Sequence, residues 1–313
     1  MDLRLGELHQ TIRDATRTFA RKELAPRAHA LEGAGGLSAE VRAQLAELGL
    51  FGLTVPEEEG GAGLDGLAFA VAAEALGEAS PDVAWRWAVH AGPAMAGRAG
   101  TDRSAFAEGR SLASYAAAAG GRARLAPLPT DVLVAHDVGG ALLRVDAPAG
   151  DAAATLGLGG AGLSDVDLGD ATTLEADGAT VRAWADLAAA ATMLGAAAGA
   201  AGAALAYAKE RTQFGRPLGA FQAIQWKIAD AATDLDAARL LVWRAGAALS
   251  PASAAAARAF VATKASRVCH DALQVHGGYG FTKEYPVERP LRAVRMLAGR
   301  DAARAEVAAA ALG

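Results

Sequence analysis

Two stretches carry residue types that can hold an anion. The first is KERTQFGRPLGAFQAIQWKIAD, residues 209–230, and the second is QVHGGYGFTKEYPVERPLRAVRMLAGRD, residues 274–301. Each sets a cation or amide beside a glycine turn at a predicted helix end. Arg211 can present a planar fork of N–H donors to a pyrophosphate. Gly277 and Gly278 lack Cβ atoms, so backbone there can approach a ligand and aim its N–H groups at an anion. Taken singly, each stretch is a weak phosphate-site signal and is better explained as a structural turn.

Other candidates have plainer readings beside them. Phe214 and Phe221 suit a core more readily than a cofactor contact. His276 reads as a turn residue with a satisfied ring, and Glu284 and Glu288 as ion-pair partners of Arg289 or Arg292. Trp85 and Trp87 lie on opposite sides of their helix, so at most one can line a pocket; His90 is a further pocket candidate. Cys269, the one cysteine, sits mid-helix as a small buried hydrophobe. It excludes an internal disulfide and fits a reducing, cytoplasmic setting. No His/Cys cluster has metal-ligand spacing, so no metal is expected.

Composition points to the elements that must position these groups. The 313 residues are 52% apolar, much of that alanine, and only 5% aromatic. Alanine has the best intrinsic helix propensity, so a mainly α fold is expected. The net charge is −5 with no basic block, which argues against nucleic acid. The N-terminus is charged and amphipathic, unlike a secretory signal. Residues 187–208 carry no charge and could span a bilayer by length. Their Ala and Gly content drives lipid insertion weakly, so a buried helix is expected and no membrane span. Gly195, Gly199 and Gly202 recur there at helical spacing and would admit another helix.

The periodicity predicts helices over 5–31, 38–48, 67–79 and 83–98, with Ser38 as an N-cap and Gly49 as a stop. A glycine-rich loop fills 51–66. From 111 to about 180 short apolar runs between Gly, Pro and Asp clusters read as strands, at 131–137 and 140–146 among others. Four long helices follow, over 185–213, 221–249, 252–276 and 287–312, and suggest an antiparallel bundle.

With RTQFGRPLG and QVHGGYGFTKEYPVER paired in this order, the chain resembles the acyl-CoA dehydrogenase family. LAELGLFGLTVPEEEGGAGLDGLAFAVAAEALG, residues 45–77, agrees with it. The resemblance covers 1–110 and 181–313. It implies an N-terminal α-helical domain (1–110), a middle β-domain (111–180, shortened here) and a C-terminal four-helix bundle (181–313). It also implies FAD as cofactor and α,β-dehydrogenation of an acyl-CoA thioester, in which a carboxylate takes the α proton and the flavin accepts hydride. In such proteins the arginine motif and the Gln-x-x-Gly-Gly turn contact the ADP part of an FAD held mainly by a neighbouring subunit. That maps cofactor contacts onto Arg211, Gln213, Phe214, Gln274, Gly277 and Gly278.

The departures concern the base. The family's Tyr-Glu-Gly-Thr-like segment falls on residues 297–300, where Ala298 replaces the glutamate and cannot accept a proton. Another family position for the base falls on Ala185, beside Asp186. One residue turns a side chain by about 100° around a helix, and a carboxylate at a helix N-terminus is also favoured by the dipole alone. In the middle part, SLASYAAAAGG (111–121) lacks the family's Thr-Glu-Pro strand, and LGLGGAGLSDVDLGD (156–170) resembles its closing strands. The resemblance therefore implies a base-lacking subunit of a heteromer with a full-length homologue. A homodimer, a self-sufficient enzyme using Asp186, and a scaffold without flavin are the alternatives.

Overall fold

The computed structural model describes residues 4–33, 37–96, 103–119, 122–127, 132–136, 142–146, 155, 157–159, 163–169, 172–173, 178–298, 304 and 307–311. The protein is mainly helical around one alanine-rich core, with a sheet inserted between the N-terminal helices and the bundle.

The first predicted helix is broken. Helix α1 (Glu7–Phe19) passes through a π-helical turn at Ala20–Leu24 and a 3-10 turn at Ala25–Arg27 into α2 (Ala28–Gly33). Pro26 explains the change, since it cannot donate to the preceding turn. Helix α3 (Ala39–Glu47) starts where expected, with the Ser38 hydroxyl accepting from the Val41 amide at 3.3 Å. Gly49 follows it at φ 69°, a conformation that suits glycine. Helices α4 (Gly66–Ala79) and α5 (Pro81–Ala96) come next, and a short α6 (Arg103–Ala107) was not foreseen.

The middle sheet contains β1 (Ala113–Ala119), β2 (Arg122–Pro127), β3 (Val132–His136), β4 (Leu142–Asp146), β5 (Leu163–Asp167) and β6 (Thr172–Thr173). Their order is β5-β2-β1-β3-β4-β6. Among the described residues, β1 and β3 run parallel and the other pairings are antiparallel.

The bundle begins earlier than predicted. Helix α7 (Gly178–Glu210) is 33 residues long and stops before Arg211, where a small hairpin of β7 (Thr212–Gln213) and β8 (Arg216–Pro217) takes over. Helix α8 (Gln222–Ala247) and α9 (Pro251–His276) follow, the latter opened by a capping box between Ser250 and Ser253. Helix α10 (Glu288–Leu297) closes the continuous part; the predicted continuation to 312 lies largely outside the described residues.

Helix α7 is the axis of the molecule. It packs against α9 on one side and against α4 and α5 on the other. Its apolar stretch is long enough to cross a membrane, but it is mostly buried in this core. Close approach requires missing side chains. A Cβ on Gly195 would stand 2.1 Å from the Glu74 carbonyl oxygen of α4, and one on Gly199 2.3 Å from that of Glu78. Gly202, expected to do the same, has nothing within 4 Å and faces open space.

Candidate functional site

The stretches 209–230 and 274–301 meet at one end of the bundle. An aromatic cluster holds them together: Tyr207 of α7 stacks on His276 of α9 at 4.4 Å, and Tyr285 packs edge-on against both. Tyr279 adjoins Tyr285 at 5.6 Å, and the Arg211 guanidinium lies over the Tyr279 ring at 5.9 Å. His276 is buried, with Nδ1 set 2.8 Å from the Ala272 carbonyl oxygen. Sequence reasoning named Arg211 and the glycine turn but missed the three tyrosines that join them.

The outward side of this corner is open. Arg211, Gln213, Gln274, Gly277 and Gly278 are all exposed. Gly277 has φ 63°, which favours glycine, and a Cβ at either Gly277 or Gly278 would meet nothing within 4 Å. Phe214 is not a core residue: it is 91% exposed and adopts a positive φ of 51° at the hairpin tip, next to Gly215 at 78°. A bulky residue in that region carries backbone strain of roughly 1 kcal/mol or more. Phe281 is 76% exposed nearby in sequence, after the glycine turn. The corner thus offers a charged fork, amide groups, a ligand-permissive turn and projecting rings. That donor set suits a pyrophosphate with an attached aromatic base.

The predicted base position lies elsewhere. Ala298 caps α10 and is buried, while Gly299 and Arg300 lie outside the described residues. Asp186 is 3% exposed within α7, and its Oδ1 accepts from Arg258 Nη1 at 2.6 Å. Arg258 Nη2 donates to the Leu297 carbonyl at 3.1 Å, the residue before Ala298. One guanidinium therefore ties Asp186 to the end of α10 where the family's glutamate would stand. Nothing in the sequence marked Arg258, which is 72 residues from Asp186.

The other expected ion pairs are partly redrawn. Glu288 does pair with Arg292, but Arg289 and Arg292 both reach back to Glu32 of α2, and Glu284 is exposed. Burial alone would raise the Glu32 carboxyl. The hydrogen bond and charge of Arg292, then those of Arg289, outweigh that and hold it below its ordinary value. On α5, Trp87 is buried and stacks on Phe69 at 5.2 Å, while Trp85 is partly buried. His90 is fully buried: its Nδ1 accepts from the Ala113 amide at 2.8 Å. Cys269 is buried, and burial pushes its thiol up to about 12.

Comparison with known proteins places this architecture. Residues 6–104 match the profile of the acyl-CoA dehydrogenase N-terminal domain, and residues 183–312 that of the acyl-CoA dehydrogenase C-terminal domain. The solved butyryl-CoA dehydrogenase of Megasphaera elsdenii has the same fold, at TM-score 0.88 and 23% identity over 100% of both chains. The chain belongs to the acyl-CoA dehydrogenase family, a family of oxidoreductases. It is 29% identical to the probable acyl-CoA dehydrogenase YngJ of Bacillus subtilis, covering 95% of each chain. That alignment runs over 360 positions although this chain has 313 residues, so gaps in this chain hold it open. It is also 44% identical over 108 residues to the caffeyl-CoA reductase-Etf complex subunit CarC of Acetobacterium woodii, which is 33% of this chain and 28% of that one.

Proposed function

We propose that the chain is a base-lacking subunit of a heteromeric acyl-CoA dehydrogenase, in which it helps hold an FAD carried by a full-length homologue. The observation that carries the reading is the pairing of Ala298 at the base position with an open, donor-rich corner. Arg211 and the Gly277–Gly278 backbone would bind the pyrophosphate, and Gln213, Phe214 and Gln274 would flank the adenine. FAD, when bound, supplies the hydride acceptor for α,β-dehydrogenation of an acyl-CoA. Removing the weakly acidic α proton needs a positioned base, which on this reading the partner supplies. The similarity to a named complex subunit supports the reading without extending to this chain's own partner. The test is co-expression with a full-length homologue. The chain alone should be colourless or retain flavin weakly and reduce no electron acceptor with an acyl-CoA, and the complex should be yellow and active. Stoichiometric flavin with turnover by the lone chain would refute it.

One observation favours a second reading. Arg258 brings Asp186 into the neighbourhood of the missing glutamate, so a self-sufficient enzyme would use Asp186 as its base. Turnover by the lone chain that disappears in Asp186→Asn, with the fold retained, would establish it. A scaffold without flavin would show neither colour nor turnover in any complex.

A further inference from the structure

We propose that the crevice between α1 and the C-terminal half of α8 is an oxyanion site that takes a phosphoryl group. It is independent of the flavin corner. Gln222, which follows the Arg211 hairpin closely, is about 26 Å of helix from Arg239.

Three guanidiniums line the crevice. Arg13 and Arg17 stand one turn apart on α1, and Arg239 and Trp243 one turn apart on α8. The two ladders wall a space of about 510 Å³, and Asp236 and Leu240 complete its lining. Helix α4 packs against both α1 and α8 and sets the forks. Glu78 accepts from Arg17 Nε at 3.0 Å and Nη2 at 2.5 Å, and Glu74 from Arg239 Nε at 2.8 Å. These bonds occupy part of each guanidinium. Arg17 Nη1 and Arg239 Nη2 have no partner among the described residues. Arg13 engages only its Nε, on the Asp14 carboxylate at 3.0 Å, and both its terminal nitrogens are without a partner among the described residues.

The charges leave a cationic surplus at the lining. Asp236 is the one carboxylate among the described lining residues, and it accepts from Arg239 Nη1 at 2.8 Å. Glu74 is buried, and burial pushes its carboxyl up against the pull of Arg239. Asp14 is 63% exposed and outside the lining. An arginine fork matches phosphate oxygens geometrically and stays charged. Forks arriving from two helices suit a tetrahedral group with three terminal oxygens better than a planar carboxylate with two. Leu240 and the Trp243 ring give the crevice an apolar wall, which would carry the organic part of a phosphate ester. Asp236 and Arg239 also border a separate apolar groove of about 290 Å³ beside Gly202.

Titration calorimetry of the purified full chain in phosphate-free buffer tests the site. The probes are inorganic phosphate and phenyl phosphate, with circular dichroism as the control for folding. Both should bind. Arg13→Gln removes an open fork and leaves the bonds to α4 in place, so it should weaken both probes by about tenfold or more at unchanged helicity. Phenyl phosphate binding tighter than phosphate, with the advantage lost in Trp243→Leu, assigns the site to an ester. Equal affinities, indifferent to Trp243→Leu, assign it to free phosphate. Arg211→Ala should change neither affinity. No binding of either probe, binding unmoved by Arg13→Gln, or binding lost in Arg211→Ala and kept in Arg13→Gln would overturn the site.

Discussion

Arg211 and Asp186 are both polar side chains on or beside α7, yet their settings predict opposite consequences of removing them. Arg211 is exposed and rests on Tyr279, with no carboxylate partner among the described residues. Arg211→Ala should leave the melting temperature of the chain nearly unchanged. It should weaken FAD retention by the assembled complex by about 1.5–3 kcal/mol, the worth of one charge-assisted hydrogen bond. Equal flavin affinity with and without the change would limit this arginine to subunit packing. Asp186 is buried and bound to Arg258. Asp186→Asn strands a largely buried guanidinium and should destabilise the chain by about 3 kcal/mol, read as a lowered urea midpoint. Any loss of turnover in that variant must therefore be judged at a temperature where it is still folded. An Arg258→Met, Asp186→Leu double change should recover much of the stability, because both charges leave together.

At the scale of elements, glycine spacing in α7 turns out to serve two surfaces. Gly195 admits α4 to within contact of backbone, whereas Gly202 borders the open groove. Gly195→Ala should cost about 1–3 kcal/mol through overpacking, while Gly202→Ala should gain about 0.5–1 kcal/mol of helix propensity. Thermal melts of the two variants should shift in opposite directions. The sequence made the long helices legible because alanine and periodic Leu, Ile and Val dominate them. It did not show where they break: the run 5–31 reads as one helix until Pro26 is given its weight. Strand β2, RARLAP, was missed because two arginines and a proline hide its alternation. The corner of Arg211 and the glycine turn was legible through its motifs. Its tyrosine brace and the Asp186–Arg258 tie were not, because such contacts join residues far apart and leave no local pattern.

Across the whole molecule, the N-terminal helices and the bundle are joined by charge as well as by packing. Glu32 in α2 meets Arg289, 257 residues away, and Arg292 beside it. The Glu32 carboxyl is held below its ordinary value in the folded chain. Its stabilising contribution is therefore complete above the ordinary carboxylate range and fades as pH falls through the lowered value. Glu32→Gln should cost about 2 kcal/mol at about pH 7, and the gap from the unaltered chain should close as pH falls through the lowered Glu32 value. A gap independent of pH would mean that Glu32 acts through shape alone. The central place of α7 has a further consequence, for the order in which the chain is made. Helix α4 is buried almost all round, and its main cover is α7, which starts at residue 178. At about 5–20 residues per second, several seconds of synthesis separate the emergence of α4 from that of its lid. Through that interval the nascent N-terminal third carries an apolar surface with nothing to close it. A ribosome-bound chain halted before α7 should recruit holding chaperones and be cut readily by protease, and one halted after α9 should do neither.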